Sequence, residues 1–214
     1  AGKCAYPMIL KNQGYKIFMY EPFIRKEKSH DLDIDKVVSF ITEINNDIIN
    51  NGLYDIVILD SVLNSITSQD MQHNVLLSAN AFLKDSGKLI IGTRSLGKIT
   101  SGMQTKHATN DKRELEFLDK DNFSITFRNG VWTKQRFTTK AQLKKELLPY
   151  FNEVEVYGNE SRSNIYAICK KPKRFSEEEY RKALNIELNM EYPNGYRHNK
   201  HANLVTSILK ELFW

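Results

Sequence analysis

Tyr54-Asp55-Ile56-Val57-Ile58-Leu59-Asp60 (YDIVILD) is the strongest strand signal in the chain. It is a nearly continuous aliphatic run that ends on a carboxylate, which is typical of a parallel strand buried on both faces. Lys88 to Thr93 (KLIIGT) is a second run of this kind, after a predicted turn at Asp85-Ser86-Gly87. The segment between the runs predicts an amphipathic helix, with Thr67 and Asp70 as its cap and an apolar stripe at Met71, Val75, Ala79 and Phe82.

On the amino-terminal side the pattern predicts a helix, a strand and a second helix. Tyr6 to Gln13 is read as a short helix, and Gly14 to Glu21 (GYKIFMYE) as a strand. The second helix ends at Asn50-Asn51-Gly52, and its apolar stripe consists of Val37, Phe40, Ile41, Ile44 and Ile48.

On the carboxyl-terminal side Asn129-Gly130 separates two β-rich runs, which is a strong hairpin signal. A capping box at Thr139 and Gln142 then begins a third helix with a stripe at Leu143, Leu147, Leu148 and Phe151. Glu153 to Tyr157 and Asn164 to Cys169 are predicted to form an antiparallel strand pair. A charged helix capped by Ser176 and Glu179 follows. Tyr192 to Gly195 breaks that helix, and Ala202 to Phe213 is predicted as a last helix.

This order of elements predicts an α/β fold with a doubly wound, mostly parallel sheet. An antiparallel strand pair closes the sheet, a β-hairpin is inserted at about residues 95–137, and a helical extension follows. We expect a core over residues 1–172 and the extension over 173–214. Ligands bind such sheets at the carboxyl ends of the strands, which here are Glu21, Asp60 and Arg94.

Composition excludes several classes of protein. No apolar run approaches the roughly 18 residues that cross a bilayer, so we expect no membrane partner. Two cysteines, Cys4 and Cys169, cannot build a disulfide scaffold, and they are most simply read as buried residues in a reducing cytoplasm. His198 and His201 have no acidic or cysteine ligand near them in sequence, so no zinc site is expected.

The net charge of +5 is concentrated in two segments. Residues 94–136 contain nine basic and five acidic side chains, and residues 171–214 contain eight and six. A nucleic-acid surface and ordinary solvated loops are both compatible with an excess of this size.

Four parts of the chain resemble the Rossmann-like S-adenosylmethionine-dependent methyltransferases, and one of them, Phe137 to Leu143, resembles the start of that family's last core helix. Ala1 to Leu10 with Tyr20-Glu21-Pro22 resembles the glycine-rich turn and acidic strand end of that family. Tyr54 to Leu63 resembles its fourth strand, and Phe82 to Ile91 its fifth. The resemblance covers about residues 1–172 and implies S-adenosylmethionine as cofactor.

The family's first strand is missing ahead of Ala1-Gly2. Because that strand is central in the sheet, we expect an upstream segment or a partner chain to complete it. Asp60-Ser61-Val62-Leu63-Asn64-Ser65 resembles methyltransferases of phages and plasmids that carry a ParB-like domain.

The resemblance implies a set of site residues. Asp60 and Asn64 are the candidate catalytic residues, and the cofactor set is Ala1, Gly2, Lys3, Glu21, Pro22, Asp60, Ser61 and Val62. Glu21 is expected to accept both ribose hydroxyls, while Asp60 is equally well read as a helix-entry carboxylate. Aromatic side chains suit stacked bases, and basic side chains suit phosphates. The candidate substrate residues are therefore Arg94, Arg128, Trp132, Gln135 and Arg136. Arg128 and Trp132 are expected on one side of the hairpin.

The function predicted from these residues is methyl transfer to a nucleic acid, with DNA binding as an expectation. The Pro-Pro-aromatic motif of amino-directed DNA methyltransferases is absent, and Asp60-Ser61-Val62-Leu63 stands in its place. Three alternatives stay open at this point: a small-molecule methyltransferase, a non-catalytic subunit that keeps the fold, and a nicotinamide-dependent dehydrogenase.

Overall fold

The structure is a computed structural model that describes residues 5–27, 29, 31–66, 68–97, 115–117, 123–128 and 131–214. Its contacts divide the chain into two compact units. The helical unit comprises the residues up to Leu53 together with Phe175–Trp214, and the sheet unit comprises Tyr54–Arg174. This division differs from the predicted boundary at residue 172, because the first 53 residues group with the carboxyl-terminal helices.

The described part of the helical unit contains α1 (Ala5–Asn12), α2 (Ile34–Asn51), α5 (Glu177–Leu188) and α6 (Ala202–Phe213). The predicted stripe of α2 is confirmed, since all five of its apolar residues are buried. The capping box of Ser176 and Glu179 at the start of α5 is also confirmed. No helix among the described residues combines the length and the apolar character needed to span a membrane.

The predicted strand at Gly14 to Glu21 is wrong, because residues 15–21 form no strand in the structure. Two of their side chains are instead held by hydrogen bonds inside the helical unit. The Tyr20 hydroxyl donates to the backbone oxygen of Glu187 at 2.8 Å, and the Phe23 N–H donates to the Glu21 carboxylate at 3.0 Å. Apolar, β-prone residues therefore did not suffice to form a strand, which needs a neighbouring edge to pair with.

The sheet unit is built on β1 (Tyr54–Asp60), β2 (Leu83–Arg94), β6 (Phe151–Tyr157) and β7 (Asn164–Pro172). Their order is β1-β2-β7-β6. β1 and β2 are parallel and are joined through α3 (Gln69–Ala81), while β7 is antiparallel to both β2 and β6. The α/β class and the antiparallel closing pair are thus confirmed, in a mixed sheet with one parallel strand pair.

The two faces of this sheet differ in burial. One face contains Leu89, Ile91, Ala167 and Cys169, which are fully buried. The other face contains Ile56 and Ile58, which are 46% and 53% exposed, and the half-exposed Tyr157 and Tyr166. The expectation that β1 is buried on both faces is therefore wrong, and β2 is its only neighbour among the described strands.

The predicted turn at Asp85-Ser86-Gly87 is an irregularity inside β2. The register of the β1–β2 pair shifts between Tyr54 and Ile56, which accommodates these residues within the strand. A Cβ at Gly87 would lie 2.9 Å from the Lys84 carbonyl oxygen, so only glycine fits there.

The start and exposed face of α3 differ from the prediction. Ser68 stands at the N-cap without a side-chain hydrogen bond, and Thr67 lies outside the described residues. Met71, predicted to face inward, is 44% exposed. The sheet, rather than the helical period alone, determines which side of α3 is covered.

A separate three-stranded ribbon occupies the predicted insertion. It consists of β3 (Leu115–Phe117), β4 (Phe123–Arg128) and β5 (Val131–Arg136) in the order β3-β4-β5. The predicted hairpin is confirmed, and its Asn129-Gly130 turn lies outside the described residues. α4 (Lys140–Leu147) follows, with the Thr139 side chain accepting from the Gln142 N–H as predicted. Two residues assigned to its stripe differ, since Leu148 is 40% exposed and Phe151 belongs to β6.

Candidate functional site

Polar side chains meet at the carboxyl ends of the parallel strands in the sheet unit. The register pairs Asp60 of β1 with Gly92 of β2, and Gly92 in turn with Tyr166 of β7. Two residues farther along β2, Arg94 is paired with Asn164. These five residues lie on the face of the sheet that carries the exposed Ile56 and Ile58, at the edge where ligands bind in open α/β sheets.

Asp60 lies against Gly92 because glycine has no side chain. A Cβ at position 92 would overlap the Asp60 Oδ1 atom and would lie 3.3 Å from the Tyr166 Cε1 atom. The Asp60 residue is exposed, and its Oδ1 accepts from the Ser61 hydroxyl at 3.4 Å. The carboxylate is therefore available to accept hydrogen bonds from a ligand.

Ser61 has a backbone conformation that non-glycine residues rarely adopt. Its φ is +58°, in the left-handed region. The conformation is held by its N–H, which donates to the Gly92 carbonyl at 2.8 Å, and by its own carbonyl, which accepts from the Ser65 hydroxyl at 3.3 Å. Such outliers cluster at functional sites because the surrounding structure must supply their energetic cost.

Arg94 and Asn164 form a second pair at the same edge. The Arg94 Nη1 donates to the Asn164 Oδ1 at 3.2 Å. The Arg94 Nε is buried and has no hydrogen-bond partner among the described residues. Arg94 is partly exposed as a residue, and a charged guanidinium suits a ligand oxygen. Asn164 and Tyr166 were missed at the sequence level; the alternation along the closing strand could have placed them on the face of Gly92.

Asn64 lies apart from the exposed carboxylate. It belongs to a short 3-10 helix (Leu63–Ser65), is 3% exposed, and its Oδ1 has no partner among the described residues. It lines a cavity of about 10 Å³ together with Thr93, Arg136 and Glu146. That volume admits about one water molecule, so Asn64 is enclosed, and its catalytic role stays a prediction.

Arg136 is engaged in a structural contact. Its guanidinium pairs with the Glu146 carboxylate and also donates to the Gln72 Oε1 at 3.0 Å. The side chain is only 11% exposed, whereas Lys134 on the same strand is exposed. Arg136 therefore ties the ribbon to α3 and α4 and is poorly placed to reach a substrate.

The remaining substrate candidates are known only by their strand positions. The register pairs Arg128 with Val131 and Trp132 with Phe127, so Arg128 and Trp132 stand at positions of opposite parity. The expected shared side of the hairpin is therefore wrong. Their side chains lie outside the described residues, and Gln135 is partly exposed.

The predicted cofactor residues are divided between the two units. Glu21 and Pro22 belong to the helical unit, while Asp60, Ser61 and Val62 belong to the sheet unit. Ala1, Gly2 and Lys3 lie outside the described residues. Glu21 is 7% exposed, and one of its carboxylate oxygens accepts from the Phe23 N–H. Its carboxylate closes its own turn, so its expected bonds to a ribose stay a prediction.

Two further features bear on chemistry. The described residues contain no group of three or more metal-ligating side chains. Burial raises the pKa of the Cys169 thiol to about 12, which leaves it unreactive as a nucleophile. Cys4 lies outside the described residues.

Comparison with known proteins gives structural likeness without sequence likeness. No protein-family model matches the sequence. No curated protein matches it either. A crystal structure of the PH0226 protein from Pyrococcus horikoshii OT3 aligns with a TM-score of 0.51 and 13% identity, over 78% of this chain and 76% of that chain.

Two other solved structures align less closely. The CcbJ methyltransferase from Streptomyces caelestis aligns with a TM-score of 0.37 and 12% identity, over 57% of this chain and 59% of that chain. An S-adenosylmethionine-dependent methyltransferase from Clostridium acetobutylicum ATCC 824 aligns with a TM-score of 0.41 and 13% identity, over 62% of this chain and 71% of that chain. The likeness to the PH0226 protein shows a shared α/β fold.

Proposed function

We propose that the chain carries out S-adenosylmethionine-dependent methyl transfer. The observation that carries the proposal is the closure of the sheet, in which β7 lies antiparallel between β2 and β6. An antiparallel strand pair after the last core helix, α4, resembles the arrangement in the methyltransferases. It fits the fold of a nicotinamide-dependent dehydrogenase less well. It supports the resemblance carried by Tyr54 to Leu63 and Phe82 to Ile91 at the sequence level.

The residues at the carboxyl ends of β1 and β2 fit such a cofactor. Asp60 is an exposed carboxylate beside a glycine, and Ser61 holds the strained turn that follows it. A carboxylate in this position accepts hydrogen bonds from hydroxyl or amino groups. Glu21 fits less well, because its carboxylate is buried in its own turn.

The chemistry required of the protein is modest. When bound, the cofactor supplies a methyl group on a positively charged sulfur. The protein has to orient donor and acceptor and exclude water, and it needs neither a metal nor a covalent nucleophile. Asp60 would hold and orient polar groups, and the Arg94–Asn164 pair would position an acceptor next to it.

Nucleic acid is the substrate class we propose. The excess of basic residues between positions 94 and 136 supports it, and Lys134 in that segment is exposed. A small molecule is the alternative, and the two differ in their response to salt, since phosphate contacts release counterions. A non-catalytic subunit is the other alternative, favoured by the enclosed position of Asn64.

We also propose that a further strand pairs with β1, supplied by the same polypeptide or by a partner chain. β1 has one neighbour among the described strands, and its Ile56 and Ile58 are half-exposed. An unpaired hydrophobic edge of this kind favours association with another strand.

Titration calorimetry with S-adenosylhomocysteine on the full-length protein tests the proposed function. We expect Asp60→Ala to weaken binding by about 1–3 kcal/mol, the cost of removing a hydrogen-bonding partner. Asp55→Ala is the matched control, because Asp55 is the second residue of the same strand and pairs with Lys84 at 2.9 Å. If S-adenosylhomocysteine binds but no labelled methyl group passes from S-adenosylmethionine to DNA, RNA or small molecules, the non-catalytic alternative is favoured. Absence of binding would contradict the proposal.

A further inference from the structure

The helical unit contains a cavity of about 580 Å³ with aromatic walls and a charged rim. Phe23, Tyr192 and Tyr196 supply the aromatic rings, and Arg25 and Asp31 supply the charges. The volume lies in the range of about 300–1,000 Å³ that small-molecule sites occupy. The cavity is formed within one unit and shares no residue with the site at Asp60.

The three rings form a continuous wall. The Phe23 ring meets the Tyr192 ring edge-on at 6.4 Å between centroids, and Tyr196 lies 6.5 Å from Tyr192 on a tilt of 41°. Tyr192 is 4% exposed, whereas Phe23 and Tyr196 are 50% and 53% exposed. Two half-exposed rings beside a buried one leave aromatic faces open to a ligand.

Backbone hydrogen bonds fix the segments that carry these rings. The Tyr192 N–H donates to the Tyr196 carbonyl at 2.8 Å, across a turn that contains Pro193. Asn194 and Gly195 in this turn have positive φ values of 66° and 73°. Phe23 is held by its N–H bond to the Glu21 carboxylate. A preformed wall loses little conformational entropy on binding.

The two charged residues lie where residues 25–26 pair with residues 31–32. Arg25 forms an antiparallel bridge with Leu32, and the Lys26 N–H donates to the Asp31 carbonyl at 3.0 Å. The Asp31 carboxylate accepts from the Ser29 hydroxyl at 2.8 Å and keeps further lone pairs for other donors. A cation and an anion therefore border the same aromatic cavity.

We propose that this cavity binds a nucleobase that carries an exocyclic amino group, as cytosine does. The base stacks on Phe23 and Tyr196, its amino group donates to the Asp31 carboxylate, and its phosphate accepts from Arg25. Aromatic faces provide stacking that any base can use, whereas a carboxylate selects a base with an amino donor. Thymine and uracil lack that donor and are bound more weakly.

The same chemistry is offered by a free nucleotide and by a single-stranded nucleic acid, so both are needed as probes. Cytidine monophosphate represents the first, and labelled oligodeoxycytidine the second. If oligodeoxycytidine binds more tightly than cytidine monophosphate, the cavity is assigned to single-stranded nucleic acid. If the two probes bind with equal affinity, it is assigned to the free nucleotide. The inference does not depend on methyl transfer, since S-adenosylhomocysteine binding is measured separately.

Fluorescence anisotropy and calorimetry on the full-length protein provide the test. We expect Phe23→Leu and Tyr196→Leu each to weaken oligodeoxycytidine binding by about tenfold, in line with the loss of one stacked base. Tyr15→Leu is the control, because Tyr15 is 61% exposed in the same unit and does not line the cavity.

The base preference tests the role of Asp31. We expect oligodeoxycytidine to bind more tightly than oligothymidine, and Asp31→Asn to reduce that ratio while the protein stays folded, since Asp31 is exposed. The inference is overturned if neither probe binds, or if the aromatic variants bind them as the Tyr15 control does. If these variants weaken S-adenosylhomocysteine alone, the base in the cavity is the cofactor's adenine, which carries the same amino donor, and the assignment to a nucleotide or a strand is overturned.

Discussion

The Asp60 carboxylate occupies the space that a side chain at Gly92 would fill. The parallel register of β1 and β2 sets these two residues opposite each other. The carboxylate at the end of β1 can therefore lie where it does because the residue opposite it in β2 is a glycine.

Gly92→Ala should destabilise the protein through this contact. The added Cβ overlaps the Asp60 Oδ1, and overpacking of this kind costs about 1–3 kcal/mol. In the double variant Gly92→Ala with Asp60→Ala most of that cost should disappear. Urea denaturation of the four proteins of this cycle measures the coupling, and additive effects would mean that the two residues do not interact.

Hydrogen exchange tests the free edge of β1. Alternate residues of a parallel strand bond to the same neighbour, and the Ser61 N–H bonds to the Gly92 carbonyl. The Leu59 amide therefore faces β2, whereas the Ile58 amide faces away from it. If a further strand pairs with β1 in the full-length protein, both amides exchange slowly; fast exchange at Ile58 beside slow exchange at Leu59 would contradict the added strand.

Arg136→Ala should change the stability of the protein, whereas Lys134→Ala should change the salt dependence of nucleic-acid binding. Loss of Arg136 leaves the Glu146 carboxylate and Gln72 without their partner and should lower the free energy of unfolding by about 2 kcal/mol. Lys134→Ala should leave stability within about 0.5 kcal/mol of the parent and, with a nucleic-acid substrate, flatten the salt dependence of binding. Equal stability of the two variants would contradict the structural role of Arg136.

Glu187 should make stability depend on pH. Burial raises its pKa from 4.5 to about 7, so between these values the folded protein holds a proton that the unfolded chain has released. Stability therefore falls as pH rises from about 4.5 to 7 and stays lower above that range. Glu187→Gln should be more stable than the parent at pH 8 by roughly 1–3 kcal/mol and similar to it at pH 4. Denaturation at both pH values checks this, and a difference that does not change with pH would contradict it.

Local patterns predicted many of the elements well. The bounds of β1 and of α6 are those predicted, and the stripe of α2 is buried as expected. These features depend on nearby residues, such as the Ser176–Glu179 capping box, whose energetics are the same wherever the helix lies.

Tertiary structure decided the features that depend on distant partners. Gly14 to Glu21 has the composition of a strand, yet residues 15–21 form none, and the Tyr20 hydroxyl donates to the backbone oxygen of Glu187 in the helical unit. Asn64 and Arg136 have the chemistry of site residues, yet packing encloses the first and an ion pair engages the second. The periods of the helices and strands and the acidic end of β1 can be read from the sequence alone. The face of the sheet that is covered and the polar groups that stay accessible depend on tertiary contacts, because burial and pairing come from residues that are far apart in the chain.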